Sequence, residues 1–356
     1  MTKQLIFLLE EHIMKRKAFY KAVLCCSLMV MVMLSAQVQA QSSTSRRGGL
    51  YGDWQIKYEA GERQREAIIS FSRDNEGNRT AQWISFMRLS ELKDLKYEDG
   101  QLSFSRVSRG RDGESTTSKF TGTIQDGKLT GTMSSDRGEY KVEGKPSPRI
   151  PRAVGNWKMT LKREDREFSS TLVVKVDKEG KLTAQWRSER GELEVTDVQY
   201  ERGNLSFKME RKSEDYDYRQ WEATFEGTIQ RETDTLSGVI KSKRGEMKAE
   251  GKRIGKPLIG IWNLEATSER GSRKQRLRIN SDMSGLYGAI PIKKVNLEGN
   301  QVSFRIILEF GDQKFEMSFE GKVEDSKLTG ELTSSRGSQK IKGTKVIRTF
   351  RRRSGM

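Results

Sequence analysis

Carboxylates are the main side chains available for chemistry, because the 356-residue chain has one histidine and two cysteines. Two groups of closely spaced acids stand out: Glu189, Glu192 and Glu194, and the pair Asp215 and Asp217. Paired carboxylates are the usual catalytic groups of glycoside hydrolases. However, a chain with 49 acidic residues contains such neighbours by chance, and neither group recurs at an equivalent place elsewhere. We therefore expect no catalytic residues.

The residue types that most enzymes and zinc sites need are confined to the start of the chain, at His12, Cys25 and Cys26. Loss of an N-terminal leader would therefore exclude a Ser-His-Asp triad, a cysteine nucleophile and ordinary zinc sites. A calcium site in the acidic run at residues 74–76 is conceivable but lacks the spacing of a known calcium loop. No phosphate-binding loop or dinucleotide fingerprint is present. The sequence predicts no metal, no cofactor and no enzymatic activity.

The first 40 residues are typical of a secretory signal peptide. A basic start that includes Lys15-Arg16-Lys17 precedes an apolar run at residues 22–34, and Val38-Gln39-Ala40 offers small residues before a cleavage site. The apolar run is short for a membrane span. We expect cleavage near Ala40 and export to the periplasm or beyond, with no transmembrane span left after cleavage. The alternative is an uncleaved membrane anchor.

The chain is basic, with a net charge of +17, and loss of a leader with five basic and two acidic residues would leave +14. A basic surface attracts polyanions. For most of the chain, the alternative is a solvated surface with a positive bias. The last residues form the best candidate for a polyanion site, with a concentration of arginines at Arg348, Arg351, Arg352 and Arg353. We expect no specific role in nucleic-acid binding.

Three copies of one unit occupy the rest of the chain. Thr-Ala-Gln-Trp ends at Trp83 and again, 103 residues later, at Trp186, and Tyr287 holds the aromatic position in a third copy. Each copy has the same landmarks in the same order, which indicates internal triplication. Gly-x-Trp ends at Trp54, Trp157 and Trp262, and Ser-x-Arg-Gly contains Arg137, Arg244 and Arg336.

Each copy has the pattern of short antiparallel strands. Val302, Phe304, Ile306 and Leu308 alternate with other residues, and a period of two places one face of a strand inward. Turn pairs such as Asp99-Gly100 separate the runs and suit tight hairpins. About eight strands in meander order would expose two edges, and closure into a barrel removes them. The sequence predicts an all-β chain of three tandem antiparallel up-and-down β-barrels at 50–146, 153–253 and 258–347, followed by the tail at 348–356.

A Gly-x-Trp first strand followed by an up-and-down barrel resembles the calycin group, which includes lipocalins, fatty-acid-binding proteins and avidins. More narrowly, the copies resemble small lipocalin-like domains of secreted bacterial proteins. The resemblance implies that Trp54, Trp157 and Trp262 plug one end of each barrel and that a basic side chain lies over each indole. Two sets of residues could supply that cation: Arg137, Arg244 and Arg336, or Lys145, Lys252 and Lys345.

Trp83, Trp186 and Tyr287 are predicted to share one structural position on the second or third strand of each barrel. They either stack on a ligand at the barrel mouth or pack in the core. The sequence favours a secreted binding protein for a small, partly apolar ligand. The alternatives are an envelope or extracellular protein that holds polyanions and, less favoured, a carbohydrate-active enzyme that uses carboxylates. The sequence does not determine the oligomeric state.

Overall fold

The computed structural model describes most of the chain after the predicted leader. The described residues are 50–60, 63–74, 76–86, 88–109, 114–189, 191–211, 221–269, 271–310 and 313–346. Tyr51–Met356 forms one compact unit that contains all three copies. The predicted signal peptide, residues 1–40, and the arginines of the tail lie outside the described residues.

The fold is all-β, as predicted. Twenty-four strands form three closed antiparallel barrels of eight strands, each connected in up-and-down order, and the described residues contain no helix. Consequently, no helix long and apolar enough to cross a membrane occurs in this part of the chain. Thr-Ala-Gln-Trp lies on the third strand of barrels 1 and 2, and Tyr287 lies on the third strand of barrel 3.

The strands are numbered in chain order, eight to a barrel. Barrel 1 contains β1 to β8: Gly52–Ala60, Arg63–Arg73, Arg79–Ile84, Leu89–Glu98, Gln101–Arg109, Ser115–Gln125, Lys128–Ser135 and Gly138–Pro146. Barrel 2 contains β9 to β16: Gly155–Arg163, Arg166–Val176, Leu182–Ser188, Gly191–Glu201, Asn204–Arg211, Trp221–Gln230, Thr235–Ser242 and Gly245–Arg253. Barrel 3 contains β17 to β24: Gly260–Ser268, Gly271–Ile279, Gly285–Tyr287, Ile290–Glu298, Gln301–Phe310, Gln313–Glu324, Lys327–Ser334 and Gly337–Lys345.

The hairpin turns follow the chemistry predicted for them. Asp99 and Gly100 have φ of 47° and 81°, so both central residues adopt the left-handed conformation that a tight hairpin needs. The repeated Ser-x-Arg-Gly is also a hairpin turn. In barrel 1 the Ser135 hydroxyl accepts a hydrogen bond from the Arg137 backbone N–H at 3.2 Å, and the same bond occurs in the other two barrels.

Each barrel contains one stacked pair of phenylalanines, and the second phenylalanine of each pair begins a Phe-x-Gly sequence that all three copies share. In barrel 1 the rings of Phe104 and Phe120 stack with centroids 4.7 Å apart, and the equivalent pairs are 4.8 and 4.6 Å apart. The Phe120 ring lies over Gly122, where a Cβ would come within 2.6 Å of it. Glycine is therefore required at this position for the close approach of the ring.

Trp157 and Trp262 lie fully buried at one end of their barrels. The Trp157 indole N–H donates a hydrogen bond to the Ala153 carbonyl at 2.9 Å, and that of Trp262 donates to the Leu258 carbonyl at 2.8 Å. These bonds tie the chain that enters each barrel to its tryptophan. Trp54 holds the same place in barrel 1, where its ring meets the edge of Phe71 at 6.4 Å.

The cations over these tryptophans differ from those that the resemblance implied. Arg253 covers Trp157 at 3.9 Å from the ring centroid, and Lys345 covers Trp262 at 5.4 Å. Thus only Lys345 of the two predicted sets takes this role. Lys252 is one residue out of register, because Arg253 is the residue that pairs with Trp157 across the strands.

In barrel 1 the same position opposite Trp54 is Pro146. Lys145 is therefore also out of register, because it pairs with Gln55 and so lies on the opposite face of the strand. The arginines of Ser-x-Arg-Gly, the other set that the resemblance left open, do not cover the tryptophans. Their turns connect the last two strands at the far end of each barrel, away from the tryptophans.

Candidate ligand-binding site

Barrel 1 has a cleft at the end opposite Trp54, which we call the open end. The cleft has a volume of about 1550 Å³. Tyr58, Arg106, Thr116, Ser118 and Tyr140 line it from the strands of barrel 1. A cleft with polar groups that converge on one place is the usual form of a small-molecule site.

The interior of barrel 1 at this end is polar, whereas the equivalent interior of the other barrels is mostly apolar. The strand registers align six inward positions across the copies. Barrel 1 has Tyr58, Ser90, Arg106, Thr116, Ser118 and Tyr140. Barrel 2 has Leu161, Leu193, Met209, Trp221, Ala223 and Met247. Barrel 3 has Ala266, Ile290, Ile306, Phe315, Met317 and Gln339.

The one polar member of the barrel 3 set has a partner of its own. Gln339 accepts a hydrogen bond from Arg273 at 3.2 Å. The remaining residues of barrels 2 and 3 pack into continuous apolar cores. Because all three copies share one fold, the polar set in barrel 1 is not needed to form a barrel.

Arg106 is the central residue of this polar set. Its guanidinium lies over the Trp83 ring at 4.8 Å from the centroid and donates a hydrogen bond to Tyr140. Its Nε is buried and has no hydrogen-bond partner, and Arg106 forms no ion pair with any described residue. Partial burial of a cation without a counterion is costly. Among the described residues, the site therefore has an uncompensated positive charge.

Two further polar atoms beside Arg106 are buried without partners among the described residues. They are the indole Nε1 of Trp83 and the hydroxyl of Ser90, which face each other across neighbouring strands. An indole N–H can only donate a hydrogen bond. The guanidinium Nε–H, the indole N–H and the Ser90 hydroxyl are thus all buried without a hydrogen-bond partner among the described residues.

Aromatic rings hold this group in place. The Tyr58 ring meets the edge of Trp83 at 5.5 Å and lies 5.4 Å from the Tyr140 ring. Burial raises the pKa of Tyr140, and the nearby positive charge of Arg106 opposes part of that rise. Burial also lowers the pKa of Arg106, although an arginine keeps its charge at neutral pH. At neutral pH the site thus contains a guanidinium beside a neutral phenol.

Barrel 3 forms the other wall of the cleft. Ala289, Pro291 and Ile307 line it from the outside of barrel 3, together with Phe86 from the turn between β3 and β4 of barrel 1. Phe86 also packs against the core of barrel 3. The open end of barrel 1 is therefore bordered by two barrels.

A buried ion pair joins the two barrels near the tryptophan end of barrel 1. Asp53 accepts hydrogen bonds from Arg276 at 2.9 and 3.0 Å, from Arg278 at 3.0 Å and from Ser70 at 2.7 Å. The side chains of Asp53 and Arg276 are only 5% and 2% exposed. Burial tends to raise the pKa of Asp53, but Arg276, Ser70 and Arg278 outweigh it and lower the pKa below its usual value. Asp53 therefore stays ionised at neutral pH.

The predicted aromatic position lies in the core of every barrel. Trp83, Trp186 and Tyr287 are 0%, 2% and 4% exposed, and burial raises the pKa of Tyr287 to about 12. Trp83 does not line the cleft itself, but it contacts both Tyr58 and Arg106, which do.

The carboxylates considered for catalysis do not converge on the cleft. Glu189, Glu192 and Glu194 are exposed on barrel 2. Asp215, Asp217 and the tail arginines Arg348, Arg351, Arg352 and Arg353 lie outside the described residues. At the conceivable calcium run, the Asp74 carboxylate instead accepts backbone hydrogen bonds from Glu76 and Asn78 within its own turn. No group of three metal-ligating side chains occurs in the described strands and turns.

The sequence carries a signal for Arg106 that the repeat comparison can find. In the aligned copies, Ser-Phe-Ser-Arg, Ser-Phe-Lys-Met and Ser-Phe-Arg-Ile place Arg106, Met209 and Ile306 two residues after an inward phenylalanine. A period of two turns all three side chains inward. Only barrel 1 thus directs a charge into its interior at this position.

Comparisons with known proteins give no family for this chain. No family model matches it, and no curated protein matches it. Several solved structures resemble parts of it at low similarity, and three of them are described below. The first is described as an outer membrane protein of Bacteroides fragilis, with 11% identity and a TM-score of 0.22, over 56% of this chain and 96% of that one.

The second structure is a protein of unknown function from the DUF3598 family of Nostoc punctiforme. It shows 14% identity and a TM-score of 0.19 over 57% of this chain and 94% of that one. The third is a double mutant of Transferrin Binding Protein B from Haemophilus parasuis, with 12% identity and a TM-score of 0.19 over 83% of this chain and 76% of that one. With TM-scores this low, none of these similarities bears on function.

Proposed function

We propose that this chain is an exported, non-enzymatic binding protein and that the open end of barrel 1 binds a small molecule with an acidic group. The lipocalin-like character of the barrels, suggested by the Gly-x-Trp strands, fits this role. The single observation that carries the proposal is Arg106, a half-buried cation with a buried Nε and without a counterion in the described residues. The predicted leader at residues 1–40 is the basis for export.

An acidic group in the cleft would supply the counterion that Arg106 lacks among the described residues. A carboxylate or sulfonate accepts several hydrogen bonds, and charge-assisted bonds to a guanidinium are about twice as strong as neutral ones. Desolvation inside the barrel strengthens each of these attractions. The same cluster offers no carboxylate or imidazole that could act as a base.

Two fluorescent probes that share one aromatic skeleton test this role on the full chain without its leader. They are 8-anilinonaphthalene-1-sulfonate and N-phenyl-1-naphthylamine, which lacks the sulfonate. We expect saturable binding of the sulfonate at one site per chain and weaker binding of the neutral probe. Arg106→Met, which installs the residue found in barrel 2, should lower sulfonate affinity by about 10- to 100-fold, as expected for a buried charge-assisted bond.

Arg187→Met provides the matched control, because Arg187 is an exposed arginine on barrel 2. It should leave sulfonate binding unchanged. Equal affinity of the Arg106→Met and unmodified chains for the sulfonate would refute the assignment of the site to Arg106.

A further inference from the structure

The cleft of barrel 1 is larger than an acidic group alone requires. Its volume of about 1550 Å³ exceeds the ~300–1,000 Å³ typical of sites for drug-sized ligands. The polar group around Arg106 occupies only the barrel interior at its base. The rest of the cleft lies between the rim of barrel 1 and the outer face of barrel 3. A ligand that fills the cleft must therefore extend beyond the barrel.

The wall that barrel 3 contributes has an apolar surface. Along β20, Ile290 and Ile292 are buried inside barrel 3, so Pro291 between them faces outward and is exposed. Along β21, Ile306 and Leu308 point inward, so Ile307 faces outward as well. Pro291 and Ile307 lie on adjacent strands, since Ile292 pairs with Ile306, and both line the cleft.

Among the described residues at the rim, the charges cancel one another. Besides Arg106, four acids and four bases in the described part of the chain line the cleft: Glu59, Glu66, Glu139 and Glu309, and Arg65, Arg88, Arg137 and Lys141. Within these described residues, the uncompensated charge of the cleft is the single positive one at its base. This arrangement favours one acidic group on the ligand over several.

Barrel 3 is held against barrel 1 at two points. Asp53 binds Arg276 and Arg278 near the tryptophan end of barrel 1. Near the open end, Gly288 of barrel 3 lies so close to the β3–β4 turn that a Cβ there would come within 2.8 Å of the Ser85 carbonyl oxygen. The apolar wall is thus part of a built contact between the two barrels.

We infer that the binding site is shared between barrels 1 and 3 and that its ligand is an amphipathic organic acid with a single acidic group. The acidic group binds Arg106 inside barrel 1. The apolar body of the ligand leaves the barrel and lies on the outer wall of barrel 3, against Pro291 and Ile307. This inference rests on the proposed function, which supplies the acidic group, and adds the apolar body and the second barrel.

A series of acids with growing apolar bodies tests the inference on the full chain without its leader. Phenylacetate, 4-phenylbutanoate and 6-phenylhexanoate share the acidic group and differ in the number of methylenes, and calorimetry gives their affinities. Each methylene that becomes buried should raise affinity about fourfold. Ile307→Ser should lower the affinity for 6-phenylhexanoate about tenfold and leave the affinity for phenylacetate nearly unchanged. A tenfold loss corresponds to part of the transfer free energy of an isoleucine side chain.

Two variants complete the design. Val176→Ser removes an apolar side chain that is 40% exposed on barrel 2 and should leave the whole series unchanged. Pro291→Ser should act like Ile307→Ser, with circular dichroism as the check that both variants fold.

The outcomes separate the inference from the proposed function. Affinity could rise with the number of methylenes by the same factor in Ile307→Ser, in Pro291→Ser and in the unmodified chain. In that case barrel 3 is not part of the site. The proposed function then still stands, provided that Arg106→Met weakens every acid. If no acid binds, or if Arg106→Met binds all of them as well as the unmodified chain does, both the inference and the proposed function are wrong.

Discussion

A ligand-binding role for Arg106 predicts that its loss stabilises the protein in the absence of ligand. The change is Arg106→Met, because Met209 fills the same position in barrel 2 and shows that the barrel accepts methionine there. If Arg106 were instead a structural residue, its removal would destabilise barrel 1. The sign of the change in the free energy of unfolding therefore distinguishes the two roles.

The expected magnitude follows from the contacts of Arg106. Its loss removes a cation–π contact with Trp83, of about 0.5–2 kcal/mol, and a hydrogen bond to Tyr140, of about 0.5–1.5 kcal/mol net. Its loss also relieves two costs of the unmodified protein. A buried donor without a partner costs about 1–3 kcal/mol, and the desolvation of a charge costs several kcal/mol for a buried ion. Since Arg106 is not fully buried, only part of that last cost applies. We expect a net stabilisation of about 1 kcal/mol.

Urea unfolding of the full chain gives the free energy, and hydrogen exchange followed by mass spectrometry assigns the change to the strands of barrel 1. The reciprocal variant, Met209→Arg, should strongly destabilise barrel 2, because Leu193, Ala223 and Met247 offer a guanidinium no acceptor side chain. A destabilisation of barrel 1 by more than about 1 kcal/mol in Arg106→Met would refute the reasoning, since it would make Arg106 a structural residue.

Three further predictions concern the interface, the tryptophan plugs and the leader. Asp53→Asn should lower stability by about 3–5 kcal/mol because it removes the buried carboxylate that pairs with Arg276, and Arg276→Met in the same chain should restore much of the loss in urea unfolding. The pKa of Asp53 is lowered in the folded state, so its contribution to the free energy of unfolding should be present above about pH 4 and disappear as the pH falls through the folded-state pKa. Urea unfolding at several pH values would show this dependence. Trp157→Ala should destabilise barrel 2 by about 3–5 kcal/mol and leave barrel 3 resistant to proteolysis, whereas equal digestion of both would contradict separate cores. Mass spectrometry of the exported protein should find Gln41 as its first residue, and retention of residues 22–34 in a membrane fraction would show an anchor instead.

The sequence predicts the barrels because their determinants are local. Alternation of inward and outward residues, Asp-Gly turns and the threefold repeat each depend on neighbours in the chain, and the structure has the same eight-stranded meander in every copy. The cations over the plug tryptophans depend on strand register, which composition alone does not give. Arg253 and Lys252 are adjacent, yet only Arg253 pairs with Trp157, and a shift of one residue turns a side chain to the other face of the sheet.

The candidate site was only partly readable from sequence. An arginine at the inward position of Arg106 is visible once the copies are aligned strand by strand, because Met209 and Ile306 replace it in the other barrels. Its lack of a counterion among the described residues is not visible, because this depends on which side chains the closed barrel brings beside it. The proposed contribution of barrel 3 to the cleft could not be predicted from the sequence either. Pro291 and Ile307 do not differ in sequence pattern from other outward-facing residues.

The position of barrel 3 follows from differences between copies that are otherwise alike. A closed barrel has no free edge, so the barrels cannot associate by pairing strands along their edges. At the middle residue of Gly-x-Trp, barrel 1 has Asp53, where barrels 2 and 3 have Asn156 and Ile261. Asp53 alone among these three can form an ion pair with Arg276 of barrel 3.

The same charge that joins barrels 1 and 3 also fixes the apolar wall beside the polar open end. If the ligand needed only Arg106, barrel 1 would be a sufficient binding module and the Asp53 ion pair would affect stability alone. If the ligand also lies on Pro291 and Ile307, weakening the ion pair should lower the affinity for 6-phenylhexanoate and spare that for phenylacetate. In that case the buried ion pair between barrels 1 and 3 also determines which ligands the cleft prefers.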